Sequence, residues 1–479
     1  MTNALTGLTA SARSAEVVSA NVANAMTEGY GKRELILTSR ADDRSGNGVY
    51  IGGVKRIVNE VAINDRRVAE AGLAYSSTTG TALSRIEDAI GLPGETGSLA
   101  GRIAAFESAL ISASSQPQSE PRLAAVVQSS ENIVTTFADI SDTIQEVRRD
   151  ADNTIASEVD ALNTALQKVK TLNESIFRLG DAEREASGLL DQRQQVIDEI
   201  SEIIPVRQVP RDRSMVALFS ENGAILLDGR AAEFEFTQSG FITPAQTVQN
   251  GSLSGLLIDG QTVDTLSDSS LIAGGRLAAL FETRDEIAPA AQADLDAVAR
   301  DLVERFQTSG VDPTLSPGDP GLFTDLGSAF DPADEVGLSA RLSVNAAVDE
   351  ESGGTVLAIR TGLGAGATAE VGDATQINAF IAAVTDDRVP ASGPFAGVSR
   401  KPTELISDFL SGISTDRQIA EDEQSYNQSR VDLLTQSELA GGVDTDEELQ
   451  KLLLIEKAYA ANARVISTID ELLDTMLRI

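Results

Sequence analysis

The residues of this chain best placed to do chemistry are carboxylates. Asp and Glu number 73 against 38 Lys and Arg, and the 479 residues include no histidine and no cysteine. The commonest general base, the thiolate nucleophile and the two best transition-metal ligands are therefore missing. Ser-His-Asp catalysis, ordinary zinc centres and His- or Cys-ligated haem are excluded, while carboxylate or lysine chemistry stays open. Without cysteine no disulfide forms, and the redox compartment cannot be read. A carboxylate site needs several acids converging in a pocket. The runs "AEDE" (Ala420–Glu423) and "DEE" (Asp446–Glu448) instead read as solvated helix faces and first helical turns.

Other motifs are equally plain. No EF-hand loop is present, and the Gly-rich "GLGAGATAEVGD" (Gly362–Asp373) lacks the Gly-Lys-Ser/Thr ending of a phosphate loop. Tyr459 falls within an apolar stripe and reads as packing with a polar tip. No catalytic residue, metal or cofactor is expected, and the chain does not read as an enzyme. The net charge of −35 disfavours nucleic acid and anionic membrane surfaces as partners. No apolar run reaches the ~18 residues of a membrane span, so no membrane insertion is expected. The first residues lack the basic and apolar regions of a typical signal peptide. The reading is a cytoplasmic chain, or one exported without a cleaved signal.

Elements follow from periodicity. Hydrophobic residues make up 42% and aromatics 4%, with no Trp, so cores would be built from Leu, Ile, Val and Ala. A first helix carries Leu5, Leu8, Ala12, Ala15, Val22 and Met26 at helical spacing and should stop near Gly29. "ELILTSR" and "GVYIGGVKRIV" read as extended segments around the turn "DDRSGNG". Arg122 to Leu179 contains no Gly and no Pro and keeps an apolar stripe, with a bend expected at "RRDADN" where the stripe lapses. "SGLLDQRQQVIDEISEII" is amphipathic and ends at Pro205. Residues 206–271 then show hairpin grammar, with turns at Asn222-Gly223 and Asp228-Gly229. Helix returns over 274–306, with a kink or restart at Pro289. Residues 308–402 read as a loosely structured excursion.

A last helical region from about Glu404 is interrupted at Gly441-Gly442. Beyond it Leu452, Ile455, Tyr459, Asn462, Ile466, Ile469, Leu473 and Met476 form a strict stripe, widened by Leu453 and Ala463. Asp444 or Thr445 can cap its start. Neither terminal helix can bury its apolar face alone. Packing of the two termini on each other and on neighbouring subunits is one solution, and an intramolecular bundle without an assembly role is the other. The fold class expected is mainly α with an inserted β-rich domain: paired terminal helices, a long-helix bundle and a small β domain in an elongated chain. The expected divisions are 1–30 with 443–479 (terminal helices), 31–205 with 272–307 and 403–442 (bundle), 206–271 (β-rich) and 308–402.

One stretch is more specific. "SANVANAMTEGY" resembles the N-terminal signature of bacterial flagellar axial proteins, the rod, hook and hook-associated subunits. The matching residues are Asn21, Val22, Ala23 and Asn24, then Thr27, Glu28, Gly29 and Tyr30, with Glu28 where the family usually has Pro. The closing "AYAANARVISTIDELLDTMLRI" is similar to the family's last helix. "LLDQRQQVIDEISEIIPVR" (Leu189–Arg207) and "GGRLAALFETRDEIAPAAQADLDAVARDLVERF" (Gly274–Phe306) resemble the hook-associated, hook–filament junction branch. The resemblance implies a structural adaptor that self-assembles into a ring. It implies the hook subunit and a second junction protein or filament-side subunits as partners, and an export chaperone on the C-terminal segment. It also implies type III export without signal cleavage and a place in the extracellular flagellum. Assembly contacts are then expected at Leu5, Leu8, Asn21, Val22, Asn24, Gly29, Tyr30, Leu452, Ile455, Tyr459, Ile466, Ile469, Leu473 and Met476. The alternatives are a hook or other axial subunit, or a peptidoglycan hydrolase carried on an axial scaffold.

Overall fold

One helix of 60 residues, Glu120–Leu179, runs unbroken through the middle of the molecule, a length of about 90 Å at ~1.5 Å per residue. The structure, a computed structural model, describes residues 2–27, 29–39, 48–179, 183–308, 310–366 and 370–478. Glu28, most of the "DDRSGNG" turn and part of the Gly-rich "GLGAGATAEVGD" run lie outside the described residues.

In chain order, α1 (Thr2–Ala23) leads into an antiparallel hairpin of β1 (Lys32–Ser39) and β2 (Val49–Ile57), paired from Lys32↔Ile57 to Ser39↔Val49. Helices α2 (Glu60–Ile90), α3 (Leu99–Ser115), α4 (Glu120–Leu179) and α5 (Glu183–Ile203) follow. Asn59 and Ser98 cap α2 and α3 by accepting from the amides of Ala62 and Gly101.

Short strands come next. β3 (Val206–Pro210), β4 (Val216–Ser220), β5 (Ile225–Asp228) and β6 (Arg230–Ala231) make one antiparallel sheet in sequential order. β7 (Phe234–Glu235), β8 (Leu256–Ile258) and β9 (Gln261–Val263) make another.

Helix α6 (Arg276–Glu282) passes through a single π-helical turn, Thr283–Ile287, into α7 (Ala288–Gln307). Pro289, expected to mark a kink or a restart, sits in the first turn of α7 immediately after the π-helical turn, and the helix runs on past it. β10 (Phe323–Asp325), α8 (Leu338–Arg341), β11 (Leu342–Val344), α9 (Ala358–Thr361) and α10 (Thr375–Thr385) precede the long α11 (Pro402–Ala440) and α12 (Thr445–Leu477). Among the described residues no helix is long and apolar enough to cross a membrane.

The bend expected at "RRDADN" does not occur. The stripe does not lapse there; it turns polar and stays buried. Arg148 and Asp152 take the inward positions between Val147 and Ile155. Arg284 donates to Asp152 at 2.7 Å, to Asp285 at 2.8 Å and to the Ser254 carbonyl at 2.9 Å, and has no exposed side-chain surface. Arg148 donates to three backbone carbonyls, of Arg284, Thr243 and Gln246.

This polar node separates two hydrophobic cores that share α4. On one side Ile133, Phe137, Ile140 and Ile144 pack with α2, α3, α7 and the first part of α11. On the other, Ile155, Leu162, Leu166 and Val169 pack with α5, α6 and the strands between 206 and 258. Residues 308–402, expected to be loose, contribute to the first core. Their regular elements are short, yet Phe323 and Phe380 are fully buried and pack with Phe306 at ring separations of 5.1 and 5.5 Å.

Removing the cation of the node, Arg284→Ala, leaves Asp152 and Asp285 buried without their guanidinium. It should cost about 3–5 kcal/mol in urea unfolding, and a loss under about 1 kcal/mol would show that the node is dispensable. A second expectation concerns Asp294 of α7, which faces a groove between α2, α7 and α11. Burial pushes its carboxyl up to about 6. The native pKa thus exceeds the unfolded value near ~4, and the native state holds the proton more tightly. Its contribution is fully present below about pH 4 and lost as pH rises through about 6. Asp294→Asn should therefore raise the melting midpoint at neutral pH and lose that advantage below about pH 4; a pH-independent difference would refute the assignment.

Candidate assembly interface

Asn21 organises the pairing of the two chain ends. It is fully buried at the end of α1. Its Nδ2 donates to the Arg33 carbonyl at 2.8 Å and to Glu448 Oε2 at 2.9 Å. Its Oδ1 accepts from the Arg33 amide and from the Tyr30 hydroxyl, each at 3.0 Å. All four hydrogen-bonding positions of one amide are used. They tie α1, the turn after it, β1 and α12 to a single side chain.

The turn is built from the neighbouring motif residues. Asn24 donates back to the Ala20 carbonyl at 2.8 Å, and the amides of Thr27 and Tyr30 bond to the carbonyls of Asn24 and Thr27. Gly29 has φ +74, and a Cβ there would meet the Gln195 side chain at 2.8 Å. Both its backbone conformation and the close approach require glycine. The Arg33 guanidinium lies over the Tyr30 ring, 4.7 Å from its centroid. Burial raises the pKa of the Tyr30 hydroxyl, partly offset by Arg33, which keeps it protonated as a donor to Asn21.

Glu448 belongs to the run "DEE" read as a solvated first turn, and the structure corrects that reading for this residue. Glu448 is 1% exposed, held by Asn21 and by Lys451 at 3.1 Å. Glu447 stays exposed and bonds Lys32 at 3.2 Å and Lys451 at 2.9 Å. Those lysines hold its carboxyl below the usual range. Asp444 caps α12, accepting from the Asp446 and Glu447 amides at 2.9 and 3.1 Å.

From this anchor α1 and α12 run antiparallel. An equal step back along α1 and forward along α12 brings Gly7 against Asn462, whose Nδ2 lies 2.8 Å from where a Gly7 Cβ would be. The one fully polar member of the α12 stripe therefore meets the residue of α1 with no side chain. The face of α1 that is buried is Ala4, Ala10, Ser11, Val17, Val18 and Asn21. The face expected from periodicity is rotated away from it. Leu5 is 57% and Met26 89% exposed, and Leu8 and Val22 are only partly covered.

On α12, Leu452, Ile455, Ile466 and Ile469 are partly covered, while Tyr459, Leu473 and Met476 are exposed. On the antiparallel register α1 runs out near Ser467, and roughly three turns of α12 extend past it. Leu472, Leu473, Met476 and Leu477 are exposed there, Leu477 to 85%.

A second cluster fastens this end to the bundle. Asp191 of α5 accepts from the Gly31 amide at 3.1 Å, from Arg33 at 2.9 Å and from Arg56 at 2.7 Å. Asp198, two turns on, binds Arg66 at 2.9 Å and Arg67 at 2.6 Å, and Arg66 also binds Glu438 of α11 at 2.9 Å. Residue-by-residue reading missed Glu448, Lys32, Asp191 and Asp198 as partners. The only sequence signal was that Asp191 and Asp198 fall in the "LLDQRQQVID" segment already singled out.

The family described as flagellar hook-associated protein FlgK helical domain matches residues 83–321, and that described as flagellar basal body rod FlgEFG protein C-terminal matches residues 440–479. Flagellar hook-associated protein 1 of Escherichia coli (strain K12) is 24% identical over 313 residues, covering 64% of this chain and 56% of the relative. The protein of the same name from Salmonella typhimurium is 27% identical, covering 48% and 42%. This chain thus matches about half the length of these two relatives. Flagellar hook-associated protein 1 of Bacillus subtilis (strain 168) is 22% identical over 95% of this chain and 93% of the relative. The flagellar hook junction protein FlgK from Burkholderia pseudomallei aligns with a TM-score of 0.44 at 19% identity, covering 55% of this chain and 46% of that one.

Asn21→Ala would leave the Glu448 carboxylate and the Arg33 backbone without their buried partners, a loss of about 1–3 kcal/mol. Amide hydrogen exchange should accelerate in α1 and the first turns of α12 while α4 keeps its protection. Unchanged exchange at both ends would show that Asn21 does not hold the pair.

Proposed function

This chain belongs to the flagellar hook-associated protein family, a family of structural flagellar proteins rather than enzymes, and we propose that it is the adaptor that joins hook to filament. The observation that carries the proposal is the α1–α12 pair, fixed in register by buried polar contacts while both helices keep apolar residues in the open. Large apolar residues left exposed along both paired helices are best explained by a further partner.

The partner for self-assembly is a second copy of the chain. A heterologous contact repeated around an axis closes into a ring where the rotation per subunit completes a full circle, and the adaptor role requires that closure. The terminal helices, 1–30 with 443–479, would form the assembly unit. Leu5 and Leu8 on α1 would meet neighbours, as would Tyr459, Leu473 and Met476 on α12. The hook subunit and a second junction protein or filament-side subunits would contact the two faces of the ring. Before assembly the overhanging end of α12 is the natural seat for an export chaperone, which would cover the apolar residues during type III export without a cleaved signal. The site of action is the extracellular flagellum.

Leu473 is 45% exposed in the single chain, so Leu473→Asp should fold normally by circular dichroism. It should abolish ring formation and filament attachment, because the charge would be buried unpaired on assembly. Ile466 is partly covered by the paired helices, so Ile466→Asp should weaken the pair as well as assembly. Motile cells with normal filaments carrying Leu473→Asp would overturn the proposal.

A further inference from the structure

Where the β1–β2 hairpin, α2, α5 and β3 meet, three arginines of an otherwise acidic chain converge on one small cavity. Arg56 from β2, Arg67 from α2 and Arg193 from α5 line it, with Asn64 and Gln208. It measures about 50 Å³, against the ~10–15 Å³ that one water needs on the same measure. Arg67 and Arg193 are both more than nine-tenths buried.

Two of the three guanidinium groups are ion-paired, each to a carboxylate it shares with a second arginine. Arg56 pairs with Asp191 at 2.7 Å and Arg67 with Asp198 at 2.6 Å. Arg193 has no carboxylate partner among the described residues. Its Nη1 donates to Asn173 Oδ1 at 2.9 Å and to the Ser214 carbonyl at 2.6 Å, which leaves the rest of its donor fork to the cavity. Glu60 also lines the cavity but is exposed and forms no ion pair with Arg193 among the described residues. Burial, then the charges of Arg56 and Arg67, brings the Arg193 pKa down to about 10, with the Glu60 carboxylate offsetting only part of the fall. A buried cation without a counterion is costly, and one singly charged group in the cavity would relieve it.

We propose that this cavity binds one small oxyanion, of the phosphate or carboxylate class, on the free edge of the Arg193 guanidinium with the side-chain amides of Asn64 and Gln208 beside it. A planar guanidinium presents paired N–H donors that match two oxygens of such a group. Gln208 accepts from Arg67 through Oε1 at 3.2 Å, and its amide N–H groups remain as donors. Occupation would draw the hairpin, α2, α5 and β3 together beside the Asp191 joint.

The test follows thermal unfolding of the full chain in sodium phosphate or sodium acetate, with sodium chloride at matched ionic strength as the control. A saturable rise of about 2–4 °C is expected with one or both oxyanions and not with chloride. The stronger of the two identifies the tetrahedral or the planar class. Arg193→Gln should remove the response. Because Arg193 also holds Asn173 and Ser214, Asn64→Asp supplies an independent arm. Its carboxylate should raise the midpoint with no added ion and abolish the response to added ion. No response in the unaltered chain, an equal response to chloride, or a response that survives Asn64→Asp would each overturn the site.

Discussion

Asp152 and Arg284 face each other at 2.7 Å inside the molecule, each with almost no exposed side-chain surface. Such a pair contributes little net stability, because the Coulomb attraction is spent against the desolvation of both ions. Its effect is on position. A leucine at 152 would pack against any apolar surface within reach, whereas a carboxylate there is tolerable only with a guanidinium in one geometry. Arg284 lies in the π-helical turn between α6 and α7, so the pair fixes where that turn crosses α4. Arg148, one turn earlier, accepts no alternative either, because the carbonyls it needs come from Thr243, Gln246 and the π turn itself. The two cores are set at a defined separation along one continuous helix.

The same logic recurs at the other end of the bundle. Asp191 and Asp198 stand two turns apart on α5 and grip arginines from three different elements: β1, β2 and α2. Arg193, between them, reaches α4 through Asn173. One turn-spaced set on α5 thereby orients the terminal pair relative to the long helix. An apolar joint of similar area could slide, and a multidentate ionic one cannot without leaving charges unpaired.

What the sequence made legible was set by contrast between neighbouring residues. The α12 stripe, the Asp444 cap and the Gly-marked hairpins of residues 216–231 each carry strong local contrast and were readable. The phase of α1 was not. Ala, Gly and Ser differ so little in hydrophobicity that two faces read alike, and the choice is made by the fit of Gly7 to Asn462. Arg148 and Asp152 looked like a lapse in the stripe because the guanidinium that buries Asp152 lies 132 residues away. Glu448 looked solvated because its partner Asn21 is 427 residues away. Residues 308–402 looked loose because their core residues, such as Phe323 and Phe380, sit in short elements separated by irregular backbone, which leave no long period to detect.

The two terminal helices differ in the residues they bring to their shared face. α1 is thin on the face it turns to α12, with Ala4, Gly7, Ala10 and Ser11, which lets the helices approach closely while burying little apolar surface. The energy of that contact is correspondingly small, and the polar residues set its register: Asn21 against Glu448, Gly7 against Asn462. Leucines and methionines are left for the outside. In a bundle meant to be complete on its own, those positions would exchange roles, with large residues between the helices and small or polar ones outside. On the proposed function, this inversion would make the pair a template whose register is fixed before a neighbour arrives and whose principal burial would follow when it does. Under the same proposal the exposed Leu472, Leu473, Met476 and Leu477 would offer the next subunit an apolar surface already held in place.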